Sequence, residues 1–206
     1  MDVELKNNAT SHITTQGATR IYKMESNYAT HMVTLSLKNN SYLEFIPEQI
    51  IPYKNSRFYQ KTTLDIDDSS SVVYSETIVP GRIAMGEMFD FDVCYLKTEG
   101  KINGKIKFRD ASLLTPKTQK IQALTMFDDK TILTSVYVLT KKHVTKINDL
   151  INEMFSNIQG ISGGSSILPN DSGVSIRLLG NSSEDQKITI YQILKIIRKE
   201  ILPECL

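Results

Sequence analysis

The stretch "SETIVPGRIAMGEMFDF" (75–91) gathers two carboxylates, Glu76 and Glu87, one guanidinium, Arg82, two glycines, Gly81 and Gly86, and an aromatic ring, Phe89. Such a set can form ion pairs, exchange protons or offer oxygen ligands to a cation. Glu76 falls in period-two register with Val72, Tyr74 and Ile78. Its side chain therefore either turns to solvent at a strand end or is buried with a partner, because an unpaired buried carboxylate is costly. Pro80-Gly81 breaks the strand, and Arg82 follows at once, placed to pair with Glu76 or Glu87 through its planar fork. Two readings stand side by side. One is a salt-bridged corner between two strands. The other is a surface that a partner or an ion passes.

Other chemistry is thinner. His12, His31 and His143 stand in unrelated contexts and no G-x-S-x-G elbow occurs, so a nucleophile built from Cys94 or a serine lacks a local signature. No catalytic residue is assigned. Cysteine and histidine spacing gives no structural zinc site, and the acidic "DIDDSSS" (65–71) lacks the glycine and distal glutamate of a calcium loop. Metal ligands stay unassigned. Transient binding of a borderline metal through dispersed carboxylates or an imidazole stays open. Gly160, Gly163 and Gly164 sit in a Gly/Ser run after a helix with no lysine in Walker order, and read as a flexible connection.

A chain of 206 residues supports one good core, and a net charge of +1 gives no field that selects nucleic acid or an anionic membrane. Cys94 and Cys205 make neither a C-x-x-C pair nor a disulfide framework, which suits a reducing compartment. No apolar run approaches the roughly 20 residues that span a bilayer. The expectation is a cytoplasmic protein.

The elements that must hold these residues are mostly strands. Val33, Leu35 and Leu37 alternate with polar residues. Phe89, Phe91, Val93 and Tyr95 alternate with Asp90, Asp92 and Cys94. Ile102, Gly104, Ile106 and Phe108 alternate with lysines, although Asn103-Gly104 suits a hairpin turn equally well. "TILTSVYVLT" (131–140) reads as a strand buried on both faces. From Thr145 the period changes: Ile147, Leu150, Ile151, Met154 and Phe155 form a helical stripe. "GVSIRLLG" (173–180) is a short strand. A last helix follows, with Ser183 and Gln186 as a capping box and Ile190, Ile193, Leu194, Ile197 and Ile201 as its apolar face. The expected layout is a strand-rich body over 1–140 and a helix-strand-helix element over 141–206 of the same domain. Strand-like sequence begins at the first residues and would present a bare sheet edge, so further strands are expected upstream.

Four stretches together resemble the UreD (UreH) family of urease accessory proteins. "ITTQGATRIYKM" (13–24) resembles its T-x-Q-G-A-T element. "NNSYLEFIPEQIIPYKNSRFYQKTTLDI" (39–66) and "KFRDASLLTP" (107–116) are similar to segments on either side of its most recognisable stretch. That stretch is matched by Glu76, Gly81, Arg82, Ala84, Gly86, Glu87 and Phe89. The sequence departs from the family in lacking its glycine-rich N-terminal portion and in having Tyr191 near where a tryptophan is usual. The resemblance implies a mainly β, β-helix-like body of stacked strands with two C-terminal helices packed on it. It further implies a non-enzymatic maturation factor that binds a UreF-like protein, and through it the UreG-like GTPase, and docks on apo-urease, with a homodimer in the complex also compatible. No cofactor is tightly bound on this view. Nickel passes transiently towards the urease metallocentre, and Glu76, Gly81, Arg82, Gly86, Glu87 and Phe89 line its path or shape a partner face. Two rivals remain: a β-solenoid binding module with another client, and a hydrolase in which a histidine meets Cys94 or a serine.

Overall fold

The computed structural model describes residues 1–124 and 126–202. Cys205 lies outside them. The first half of the chain winds as a parallel β-solenoid. Strands β1 (Asp2–Leu5), β4 (Ala29–Leu37), β7 (Arg57–Ile66) and β9 (Val93–Ile102) stack in parallel to form one wall. Strands β2 (Thr10–Thr14), β5 (Tyr42–Ile46) and β8 (Ser71–Ile78) stack in parallel as the other wall. Between them β3 (Thr19–Ile21) pairs with β6 (Ile50–Pro52), which touches β8. The mainly β, stacked-strand expectation is met.

Asparagines make the repeated corner. Asn7, Asn8, Asn39 and Asn40 all have positive φ, a conformation that asparagine tolerates better than most residues. Asn39 Nδ2 donates to Asn7 Oδ1 at 3.0 Å, and Asn40 Nδ2 to Asn8 Oδ1 at 3.1 Å, so each coil registers the next. Asp67 continues the stack, accepting from the Asn39 N–H at 2.7 Å. Partial burial opposes ionisation of Asp67, but the donors on Asn39, Ser69 and Ser70 outweigh it and hold its pKa down to about 2. The acidic "DIDDSSS" turn is therefore a corner cap.

The solenoid closes with antiparallel pairs. Asn103 and Gly104, at φ 51° and 71°, turn a tight hairpin from β9 into β10 (Lys105–Leu114), which selects the hairpin over a continuous strand. Strand β11 (Ile132–Leu139) returns antiparallel to β8 and is buried along nearly all its length, as its composition implied. Helix α1 (Val144–Ser156) follows, then β12 (Ser162–Ile167), β13 (Gly173–Gly180) and α2 (Ser183–Ile201). The second sheet runs in the order β12-β13-β11-β8-β5-β2.

Three local expectations are corrected. The Gly/Ser run is not a flexible connection but strand β12, paired with β13 along six residues. A Cβ on Gly163 would lie 2.4 Å from the Phe155 ring, so the missing side chain lets α1 press onto this strand. Asn152 completes the contact, its amide exchanging hydrogen bonds with the backbone of Ser165 at 2.8 and 3.1 Å. Second, the cap of α2 is Ser182, which accepts from the Asp185 N–H, while Gln186 is buried and bonded to Thr134 and the Ile132 carbonyl. Third, Phe89 through Tyr95 do not share one face. Phe89 has φ 54°, the strand starts only at Val93, and Cys94 and Leu96 point inward while Val93 and Tyr95 are half-exposed. The change of face falls in the non-strand residues between Phe91 and Val93, and period-two counting holds only within a continuous strand.

Two apolar clusters fill the space between the walls, one around Leu35, Leu43, Leu64 and Tyr137, the other around Ile50, Phe58, Phe91 and Leu96. A third joins the outer face of the second sheet to both helices through Val136, Ile147, Ile151, Ile193 and Ile197.

Candidate functional site: an interior polar layer and a gripped corner

Between the two interior clusters the walls are not apolar. In the first wall His31 and Gln60 pair in register, as do Thr62, Thr98 and Asp110 in neighbouring strands. In the second wall Glu76, Ser135 and Arg177 align across three strands. Side chains that pair in register point to the same face, so these rows confront each other across the interior.

The rows are joined by hydrogen bonds. His31 Nδ1 lies 3.1 Å from Gln60 Oε1. The Gln60 amide donates to the Tyr74 hydroxyl at 2.9 Å and to Glu76 Oε2 at 3.2 Å. The Tyr74 hydroxyl donates to the same Glu76 oxygen at 3.0 Å. Further along, Tyr137 donates to Asp110 Oδ2 at 2.8 Å, Arg177 pairs with that oxygen, and Arg177 Nη1 reaches Ser135 Oγ at 3.2 Å. Thr98, beside Asp110 in the ladder, keeps a buried hydroxyl with no partner among the described residues. A cavity of about 440 Å³ opens onto one end of the layer, with His31, Gln60, Tyr74 and Glu76 in its lining.

Glu76 is 4 % exposed and has no cation directly on it. Burial pushes its pKa up to about 7, against the opposing pull of the Tyr74 hydrogen bond and of the Arg177 charge. An imidazole, an amide, a phenol and a carboxylate that exchanges its proton near neutrality can offer weak nitrogen and oxygen contacts to a passing cation. Among the described residues no group of three or more His, Cys, Asp or Glu side chains is placed to hold a metal ion tightly.

The corner is a separate place. Arg82 pairs with Glu87 and not with Glu76. Its Nε donates to Glu87 Oε2 at 2.8 Å, its Nη2 bonds the other oxygen, and the Lys54 N–H adds a third donor at 3.2 Å. The Arg82 guanidinium holds the Glu87 carboxyl below the usual carboxylate range, and Glu87 in turn raises Arg82. The Arg82 Cζ also sits 4.0 Å above the Tyr53 ring, against which Tyr22 packs edge-on. Gly81, at φ 139°, and Gly86, at φ 75°, shape the turn. Phe89 packs against Phe91 and Phe127, with ring centroids 6.5 and 5.4 Å away. The six candidate residues thus divide into one interior carboxylate and five corner residues.

The rival chemistry finds no such assembly. Cys94 is fully buried, and burial pushes its thiol well up. His12 pairs with Glu44, His31 with Gln60 and His143 with Glu200. None of the three bonds a serine hydroxyl or a thiol among the described residues. No helix of the described residues is long and apolar enough to cross a membrane.

Sequence reasoning passed over His31, Gln60, Tyr74, Asp110 and Arg177. Its available signal was parity: Gln60 and Thr62 share a face with Phe58 and Leu64, and His31 with Val33 and Leu35.

Fold and site together define a β-solenoid scaffold whose polar groups lie along its interior and at one outer corner. The chain belongs to the UreD family, since the family model "UreD urease accessory protein" matches residues 1–205. Its relatives include the urease accessory protein UreD of Cenarchaeum symbiosum, 36% identical over 184 residues, 88% of this chain and 65% of that protein. Urease accessory protein UreD 2 of Brucella canis is 34% identical over 212 residues, 99% of this chain and 70% of that protein. UreD of Yersinia pseudotuberculosis is 35% identical over 205 residues, 98% and 64% respectively. The match thus spans roughly two-thirds of the length of these curated relatives.

Proposed function

We propose that this protein is a non-catalytic scaffold of urease maturation in the cytoplasm. In this reading it assembles with a UreF-like protein, and through it with a UreG-like GTPase, on apo-urease. Nickel moves through the scaffold by weak, successive contacts along the layer that contains His31, Gln60, Glu76 and Asp110, without a resident metal or cofactor. The observation that carries the reading is that layer: two hydrogen-bonded groups of polar and titratable side chains, one at His31, Gln60 and Glu76 and one at Asp110 and Arg177, set in an otherwise apolar interior, in a chain of the urease accessory family. Weak sites suit the task, because a closed set of strong ligands would retain the metal. A carboxylate poised near neutrality can lose its proton when a cation arrives and regain it when the cation leaves.

The test is co-expression of this chain with the urease subunits and accessory proteins of one operon, with nickel content and urease activity measured after purification. Glu76→Gln keeps the shape of the layer and removes its charge. The expected result is an intact complex that loads less nickel. Urease that loads equally well with and without this chain would overturn the proposal.

A further inference from the structure

The corner carries more than its internal grip. Its single turn of 3-10 helix, Ile83–Met85, buries none of its residues. Ile83 is 54 % and Met85 70 % exposed, with Met88 beside them also open to solvent. Three neighbouring large apolar side chains on one turn form a knuckle that the fold itself does not use. Isolated exposed apolar residues are ordinary, but a cluster held on a rigid turn marks a contact surface. Rigidity is evident: Glu87 grips Arg82, the Gly86 and Glu87 N–H groups bond back to Ile83 and Arg82, and the Phe89 N–H donates to the Pro80 carbonyl at 2.7 Å.

Beside the knuckle lies a hollow of about 530 Å³ whose lining includes Tyr22, Lys23, Tyr53, Lys54, Arg82 and Glu87. Three cations face one carboxylate there. That carboxylate is already taken by Arg82 and by the Lys54 N–H. Lys23 has only a distant contact with Glu25, at 3.9 Å, and the Lys54 ammonium makes no direct ion pair among the described residues, its charge acting on Glu87 from further away. Arg82 uses Nε and Nη2 on Glu87, which leaves Nη1 directed elsewhere. Tyr22 is 63 % exposed and supplies an aromatic wall.

We propose that this corner docks an acidic segment of a partner protein, with an apolar side chain of that segment on the Ile83–Met85–Met88 knuckle and its carboxylates on Lys23, Lys54 and Arg82. Charge complementarity selects the occupant: a basic segment meets three cations, and a neutral one leaves only Glu87 and the distant Glu25 to balance them. Tyr, Met and Arg around a fixed turn are also residue types enriched at protein interfaces. Only the identity of the partner, a member of the urease-maturation assembly, rests on the function proposed above. The docking chemistry stands on the corner alone.

A photo-reactive p-benzoylphenylalanine placed at Met85 tests it, in the full chain co-expressed with the urease subunits and accessory proteins. A second probe at Lys195, on the open face of α2, serves as control. The expected product is a cross-link from position 85 to a partner segment in which Asp or Glu residues flank a large apolar residue. Lys23→Glu with Lys54→Glu should then reduce that product about tenfold, since two like-charge contacts replace two favourable ones. Circular dichroism confirms that the doubly reversed variant folds. A cross-link to a neutral or basic segment, to a second copy of this chain, or none from position 85 would overturn the docking proposal. Urease activity in the same cells separates the two ideas. Chain-dependent activity without the acidic cross-link removes the docking site alone. The acidic cross-link without chain-dependent activity removes the maturation role alone.

Discussion

Glu44 and Glu76 sit on neighbouring strands of one sheet, both deeply buried, and face opposite ways. Glu44 points outward beneath α2, where Arg198 Nε and Nη2 grip its two oxygens at 2.7 and 2.5 Å. Tyr42 and His12 add contacts at 2.7 and 2.6 Å. Burial raises its pKa, but the bonds from Arg198, Tyr42 and His12 outweigh burial and keep it below the usual carboxylate range. Glu76 points inward and meets only an amide and a phenol, so burial wins and its pKa rises to about 7. The outer carboxylate is a permanent charge that ties the last helix to the solenoid. The inner one is a proton exchanger. Partner chemistry, not depth, decides which role a buried glutamate takes.

Removing the partner of the outer carboxylate should give the largest effect on stability. Arg198→Ala leaves the Glu44 charge under α2 with only Tyr42 and His12 to compensate it. The expected loss is about 3 kcal/mol, towards the low end for a broken buried pair because those two groups remain. In a chain of this size that lowers the melting temperature by roughly 10 °C. Replacing both partners, Glu44→Gln with Arg198→Met, should cost clearly less than Arg198→Ala alone. Equal melting temperatures for the two variants would show that the helix tie is not electrostatic.

The inner carboxylate should show itself in pH dependence. The folded state holds the Glu76 proton up to about pH 7, whereas the unfolded chain releases it near the usual 4.5. Between these values the folded state binds more protons, so stability falls as pH rises and levels off above about 7. Glu76→Gln has no proton to lose. From pH 5 to pH 8 the parent should lose roughly 2–3 kcal/mol more than this variant, at 1.4 kcal/mol per pH unit. Urea unfolding at both pH values measures the difference, and parallel losses in the two proteins would place a cation closer to Glu76 than the hydrogen bonds indicate.

How much of this contrast was readable in the sequence follows from what period-two counting can detect. Strand identity and the inward face of β4 and β8 were legible, because apolar residues at alternate positions announce a wall with one buried side. Glu76 was legible as an exception on that face. Its neighbours Gln60, Asp110 and Arg177 in the layer were not, because they come from strands that only the folded chain brings alongside. Glu44 was missed for a different reason. All of Tyr42 to Phe45 is buried, since the strand lies between the interior and α2, and a strand covered on both faces has no alternation to reveal where its one charge points. The pairing of Arg82 with Glu87 was legible only as one of two open choices, the other being Glu76. Strand β12 was hidden because its glycines signal a loop, and only the ring of Phe155 above Gly163 explains them.

Within the corner, shape should matter to stability more than charge does. Gly81→Ala forces an alanine into φ 139° and sets its Cβ 3.0 Å from the Glu87 carbonyl oxygen and 3.3 Å from that of Pro52. A cost of about 2 kcal/mol is expected, seen as a lower denaturation midpoint at unchanged slope.

Arg82→Ala with Glu87→Ala should have the smallest effect on folding. The pair is only half-buried, it spans only one turn, and the backbone bonds of that turn persist without it. The melting temperature is expected to stay close to that of the parent, while urease activation in co-expression falls markedly, because the knuckle loses the clamp that fixes its direction. A charge-preserving control sharpens the point. Arg82→Lys keeps the charge but cannot grip both Glu87 oxygens or lie flat on Tyr53, so it should behave like the double alanine variant if orientation is the requirement. Full activation by Arg82→Lys would mean that the corner contributes only its charge. Loss of soluble protein in the double variant would mean that this ion pair, like that of Glu44, serves the fold first.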